Sequence, residues 1–268
     1  MTRPGGYVES YYLSVLADML KQRKQRSYDC MHILRGHTVL DVGCGQGTDT
    51  LLLADLVGPA GRVIGIDHDL FMVNEAERRS IEGGYSSWCR HRRGEASALP
   101  LESNSVDASR CENLFQDLSQ PAEAQEALAE MVRVTRPGGW VVVMETDLST
   151  FSIDTAEVDI ERRLVRFCAE HLVGNGYAGR HLYRLFKQQP LTDMMIEIHP
   201  MCITSYEMAR YVGAIDLIEQ EALAANVLTA DELERLHKNL QQAEAEGTFF
   251  AHINTVLAAG RKLEPATK

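Results

Sequence analysis

The segment VLDVGCGQGTDT, residues 39–50, constrains the fold more than any other stretch. A short β-branched run, HTVLDV (37–42), leads into Gly43, Gly45 and Gly47, and a helix is predicted to begin near Thr48. A strand that turns through glycines directly into a helix brings backbone N–H groups within reach of a ligand. The spacing G-x-G-x-G departs from the dinucleotide fingerprint G-x-G-x-x-G/A, whose third glycine stands one residue later. Asp41, two residues before the first glycine, suits a cationic ligand better than a pyrophosphate.

The runs RVIGID (62–67), SVDASRC (105–111) and GWVVVME (139–145) are likewise apolar, β-branched and bounded by turn residues, as buried strands are. Between the last two, PAEAQEALAEMVRV (121–134) predicts a helix. Pro121 fits its first position, Leu128, Met131 and Val132 lie on one stripe, and RPGG stops it. Strands alternating with helices predict a doubly wound α/β fold, a parallel sheet with helices on both faces and right-handed crossovers.

Beyond residue 151 the pattern changes. ERRLVRFCAEHL (161–172), HLYRLFKQ (181–188), SYEMARYVGAIDLI (205–218) and the segment opened by the capping box Thr229-x-x-Glu232 read as helices. MMIEIHP (194–200) and FFAHINTVLAAG (249–260) read as two further strands. One domain over 1–268 is expected, with a helical N-terminal segment (1–30), a ligand-binding half (31–150), a mainly helical cap over one end of the sheet (151–246), and a last strand and tail (247–268).

A chain of 268 residues with 45% apolar content supports one sizeable core. Its 27 Lys and Arg against 38 Asp and Glu give a net charge of −11, which repels a phosphate backbone, so no nucleic-acid partner is expected. The start lacks a signal-peptide pattern and no apolar run approaches the roughly 20 residues of a membrane span, so a cytoplasmic protein without a membrane partner is expected. Six cysteines without a C-x-x-C pair read as reduced thiols, and nine histidines without H-E-x-x-H give no support to a metal site.

Two more carboxylates follow strands on the ligand side. Asp67 ends the second strand, 24 residues beyond Gly43, where it can accept hydrogen bonds from ribose hydroxyls. Glu95, with the Ala96 backbone, follows the third strand and can read an adenine edge. On VLDVGCGQGTDT, VIGIDHDLFMV, GEASALPLESNSVDASRCENLFQDL and AEMVRVTRPGGWVVVMETDLSTFSID, the chain resembles the class I S-adenosylmethionine-dependent methyltransferases, within the small-molecule group related to the ubiquinone and menaquinone enzymes. NGYAGRHLYRLF (175–186) and FFAHINTVLAAGRK (249–262) extend the likeness.

The resemblance implies a seven-stranded Rossmann-like sheet with helical cap insertions and S-adenosyl-L-methionine as cofactor. It implies that Asp41 and the glycines receive the methionine end, that Asp67 with His68 receives the ribose, and that Met72 packs on the adenine. Glu95 and Ala96 would sit at the adenine edge, and Arg110 and Cys111 would face the sulfonium side. The acceptor is expected to be a small planar molecule, with a heteroaromatic ring nitrogen favoured over an oxygen or carbon and one or two methyl groups added. Asn113, Glu145 and Arg180 are the expected substrate contacts on the strand ends and the cap.

Several patterns narrow the chemistry. Relatives with Gln-His-Leu have a histidine where this chain has Gln116-Asp117-Leu118, so a base carried over from the family is missing there. Arg110-Cys111 replaces the Pro-Cys pair of cytosine C5 methylation, and RCENLF stands where nucleic-acid and glutamine amino methyltransferases carry Asn/Asp-Pro-Pro-aromatic. A nicotinamide-dependent oxidoreductase is disfavoured by the glycine spacing and Asp41.

GGYVESYYL (5–13) places three tyrosines at the start of a chain that is 7% aromatic. Tyr7 and Tyr11 share a helix face. In the family that segment lies over cofactor and acceptor, so Tyr7, Tyr11 and Tyr12 are expected substrate contacts, with Tyr7 as a positioning lid swung by Gly5 and Gly6. A tyrosine face there would add a cation–π contact of roughly 0.5–2 kcal/mol. A hydrophobic tether is the plainer alternative.

Overall fold

A computed structural model describes residues 21–264. Tyr7, Tyr11 and Tyr12 lie outside the described residues. The chain runs from helix α1 (21–29) through β1 (Thr38–Val42), α2 (Thr48–Val57), β2 (Arg62–Asp67), α3 (Leu70–Glu82), β3 (Cys89–Arg93), β4 (Val106–Glu112) and α4 (Pro121–Val134). Then come β5 (Thr135–Ile153), α5 (Val158–Phe167) with a π-helical turn at Cys168–Leu172, α6 (Ala178–Lys187), β6 (Leu191–Ile203), α7 (Tyr206–Gly213), α8 (Ile215–Ala224), α9 (Ala230–Ala245) and β7 (Ala251–Lys262).

The sheet has seven strands in the order β3-β2-β1-β4-β5-β7-β6. The first five pair in parallel, as the alternating pattern predicts. β7 does not follow: it is antiparallel to both β5 and β6. The register gives the reason. Ile203 at the end of β6 faces Ala251 at the start of β7. The excursion through α7, α8 and α9 therefore leaves and re-enters at one end of the sheet, and the strand has to run back.

Neighbouring residues of the central strands point to opposite faces, and both faces are covered, which is why these strands read as unbroken apolar runs. On one face Leu40, Val141 and Val143 pack with Leu128 and Met131 of α4 and Phe186 of α6. On the other, Val39, Val142 and Met144 pack with Met31 and with Leu53 and Val57 of α2.

β5 and β6 are longer than their sequence patterns suggest, and together with β7, which is as long as expected but begins two residues later, they overrun the sheet. Their projecting ends, Ile153, Ile203 and Ala251, with Phe249 just before β7, join Ile160 and Leu164 of α5 and Leu236 and Leu240 of α9 in a separate core under the cap. The segment 205–218, expected as one helix, breaks at Ala214, whose φ of +49° ends α7 and starts α8. The capping box at α9 is formed: Glu232 N–H donates to Thr229 Oγ1 at 3.2 Å, and Thr229 N–H to Glu232 Oε2 at 2.8 Å. Among the described residues no helix is long and apolar enough to cross a membrane.

Candidate active site

The glycine loop turns at the C-terminal edge of β1, where ligands bind in open α/β sheets. Gly43 and Cys44 N–H donate to the Ile66 carbonyl at 2.7 and 3.1 Å, tying the loop to β2. Gly45 N–H donates to Asp67 Oδ2 at 2.8 Å, and Asp69 N–H to Asp67 Oδ1 at 2.9 Å. The two later glycines serve different ends. A Cβ on Gly47 would stand 2.9 Å from Ala76 Cβ, so this glycine lets α2 seat against α3, whereas a Cβ on Gly45 would meet no protein atom within 4 Å.

A cavity of about 370 Å³ opens beside this loop, and Gly43, Asp67, His68, Glu95, Ala96 and Asn113 all line it. Six of the residues expected at the cofactor and acceptor sites thus converge. Asp117 lines it too, its carboxyl raised above the usual range by burial. Met72 does not line it. It sits in the first turn of α3, 37% exposed, because that turn leaves the sheet edge for solvent.

Behind the loop lies a buried ionic cluster. Arg110 Nη1 is 3.3 Å from both Asp41 and Asp49, and its Nη2 is 2.8 Å from Glu112. Lys24 of α1 pairs with Asp49 at 2.8 Å and Glu112 at 3.2 Å, and the Tyr28 hydroxyl donates to Asp49. Burial pushes Asp41 up to about 7. Burial also acts to raise Asp49, but Arg110 and Lys24 outweigh it and hold that carboxyl down at about 2.

Three carboxylates stand against two cations, so a cationic ligand beside the cluster would offset the cost that burial imposes on ionising Asp41. Arg110 Nε is buried without a hydrogen-bond partner, so one donor is left over as well. An ammonium and carboxylate on one ligand, as at the methionine end of S-adenosylmethionine, would match both. Arg110 therefore departs from its expected place on the sulfonium side, because its guanidinium is spent on the cluster. Cys111 points the other way, into the core beside Phe115 and Leu128. Burial raises its thiol well above the ordinary range, which leaves no thiolate nucleophile.

Glu145 and Arg180 also depart from expectation. Glu145 is fully buried, and its carboxylate accepts the N–H groups of Leu114 and Phe115, each at 2.8 Å, and of Gln116 at 3.3 Å. Burial, opposed by these donors, pushes it up to about 8. It holds the loop after β4 and lines neither cavity. Arg180 is drawn to the buried Asp147, with Nε 2.6 Å from Oδ2, and does not line the cavities either.

A second cavity, of about 410 Å³, lies between the sheet end and the cap. Leu148, Phe151, Ile153, Leu164, Ile203 and Ile215 are among its apolar walls, and Arg23, Gln116, Thr146, Glu161 and Tyr211 among its polar ones. Asn113 lines both cavities. Its φ of +51° turns the chain out of β4, and its side chain is tied to Thr146 on β5. Sequence reasoning missed Arg23, Thr146 and Glu161. A carboxylate or hydroxyl inside a helix or strand pattern gives no sign of facing a cavity.

Residues 39–139 match a protein family described as a methyltransferase domain. An uncharacterized 37.1 kDa protein in transposon Tn4556 of Streptomyces fradiae is 33% identical over 91% of this chain and 69% of its own length. A ubiquinone/menaquinone biosynthesis C-methyltransferase of Hahella chejuensis is 29% identical over 68% of this chain and 74% of its own. Among solved structures, geranyl diphosphate C-methyltransferase from Streptomyces coelicolor superposes with a TM-score of 0.62 at 15% identity, covering 98% of this chain and 86% of that one. At that identity the likeness is one of fold.

Proposed function

The chain belongs to the class I S-adenosylmethionine-dependent methyltransferases, and we propose that it methylates a small planar heteroaromatic acceptor at a ring nitrogen, as in a pyrimidotriazine precursor of toxoflavin, once or at two positions in turn. The cofactor is S-adenosyl-L-methionine, which when bound supplies an electrophilic methyl group on a sulfonium. Asp41 and the loop Gly43–Gly47 would hold its methionine end, Asp67 and His68 its ribose, and Glu95 and Ala96 its adenine.

The observation that carries the reading is the single residue, Asn113, shared by a cofactor-sized cleft and an apolar acceptor cavity. In such a site the protein's task is to orient the acceptor and exclude water, which together can supply on the order of 7–11 kcal/mol. Two carboxylates near the larger cavity are already committed: Glu145 to three backbone amides, and Glu161 to Arg162 and the Ile153 N–H. An acceptor that brings its own acidity, such as a ring N–H, needs no base from them.

A second reading, O- or C-methylation of a phenol or quinone, is favoured by the apolar walls of the larger cavity and by the relative that carries quinones in its name. Incubation with labelled S-adenosylmethionine and a panel of N-heteroaromatic, phenolic and quinone compounds, read by mass spectrometry, separates the two. Calorimetry in which NADH binds and S-adenosylhomocysteine does not would refute both.

A further inference from the structure

Helix α1 brings three cations toward the sheet, and two have carboxylate partners. Lys24 pairs with Asp49 and Glu112, and Arg26 with Glu197. Arg23 has no carboxylate within ion-pair distance among the described residues. Its Nη1 donates to Thr255 Oγ1 at 2.7 Å, and its Nε is buried without a hydrogen-bond partner. Among the described residues, the only carboxylate that shares its cavity wall, Glu161, is already paired with Arg162.

A guanidinium held in a mostly apolar cavity without a counter-charge is costly. Burial accordingly lowers its pKa, with the more distant Glu112 acting the other way. Its position is specific. Thr255 faces Thr146 across the β5–β7 ladder, and Thr146 donates to Asn113, the residue common to both cavities. Arg23 therefore stands toward the end of the acceptor cavity nearest the cofactor.

We propose that Arg23 is the anion receptor of the acceptor cavity, so that the substrate binds as an anion, through a carboxylate or an ionised ring N–H or O–H, with its charge on the guanidinium. This rests on the methyltransferase reading and narrows it to acidic acceptors. Pairing with Arg23 stabilises the deprotonated acceptor and so does the work of the missing base. Arg23 is here a positioning and specificity residue.

The test uses the full chain saturated with S-adenosylhomocysteine and a matched pair of probes, naphthalene-2-carboxylate and naphthalene-2-carboxamide. The carboxylate is expected to bind at least about tenfold tighter, the preference should vanish in Arg23→Met and return in part in Arg23→Lys, and S-adenosylhomocysteine affinity should stay within about twofold throughout. Equal binding of the two probes, or a preference that survives Arg23→Met, overturns the proposal. So does a large loss of S-adenosylhomocysteine affinity in Arg23→Met, which would assign Arg23 to the cofactor's own carboxylate. Failure of the unaltered protein to bind S-adenosylhomocysteine would instead sink the methyltransferase reading. A melting temperature that falls in Arg23→Met but is kept in Arg23→Lys, with no probe preference in the unaltered protein, would make the residue structural and also overturn it.

Discussion

Asn113 Oδ1 accepts hydrogen bonds from both the backbone N–H and the hydroxyl of Thr146, at 3.2 and 3.0 Å, and this pair stitches β4 to β5 where the two cavities meet. Asn113→Ala removes both bonds and forces alanine into a left-handed conformation, a combined loss of about 2–4 kcal/mol. Asn113→Gly loses the bonds and keeps the turn, so it should melt at a higher temperature than the alanine variant. Turnover should fall at least about tenfold in both. Unchanged turnover in the glycine variant would remove Asn113 from the site.

Gly45 and Gly47 should separate binding from stability. Gly45→Ala places a methyl in open space beside the cofactor cleft, whereas Gly47→Ala drives it against Ala76. Both incur about 1 kcal/mol of backbone strain. Beyond that, Gly45→Ala should lose S-adenosylhomocysteine affinity in calorimetry, and Gly47→Ala should lose melting temperature. The reverse assignment would mean that the ligand approaches elsewhere.

Arg110→Met leaves Asp41 without its ion pair, and Asp49 and Glu112 with Lys24 as their remaining ion-pair partner among the described residues. Removing one partner from a buried ionic group costs about 3–5 kcal/mol, so urea denaturation should show a loss of that size. Adding Asp41→Asn should restore part of it. If the double variant is less stable by the sum of the two single losses, the residues are not coupled.

Asp49 makes the fold sensitive to acid. Its folded pKa of about 2 lies below the ordinary 3.8, so its contribution is complete above 3.8 and drains away as the pH falls toward 2. Asp41, raised by burial, works in the opposite sense and opposes folding as the pH climbs toward 7. Denaturation midpoints of the unaltered protein should drop between about pH 4 and pH 2, and Asp49→Asn should flatten that drop. An equal slope in both proteins would assign the acid sensitivity elsewhere.

The convergence of residues on the cleft beside the glycine loop was legible because its signals are local. Glycine spacing, a carboxylate at each strand end and strand-helix alternation all fall within a few residues of one another, and Gly43, Asp67, Glu95 and Ala96 converge as those signals imply. The acceptor side depends on relations the sequence does not carry. Glu145 reads as a free strand-end carboxylate until the Leu114, Phe115 and Gln116 amides close on it. Arg23 reads as one more charge on a polar helix until Thr255, 232 residues away, meets it. Ala214 has no local preference for the left-handed turn that splits α7 from α8. The direction of β7 follows from where the cap returns the chain, which is a property of the whole excursion.

The overrun of β5, β6 and β7 gives the molecule two addresses within one chain. Nearly every wall of the proposed acceptor cavity comes from residue 146 onward, while the proposed cofactor cleft is built between residues 42 and 127, and Asn113 is the wall they share. On that assignment, substitutions in the later part are expected to change which molecule is accepted while S-adenosylhomocysteine affinity stays put.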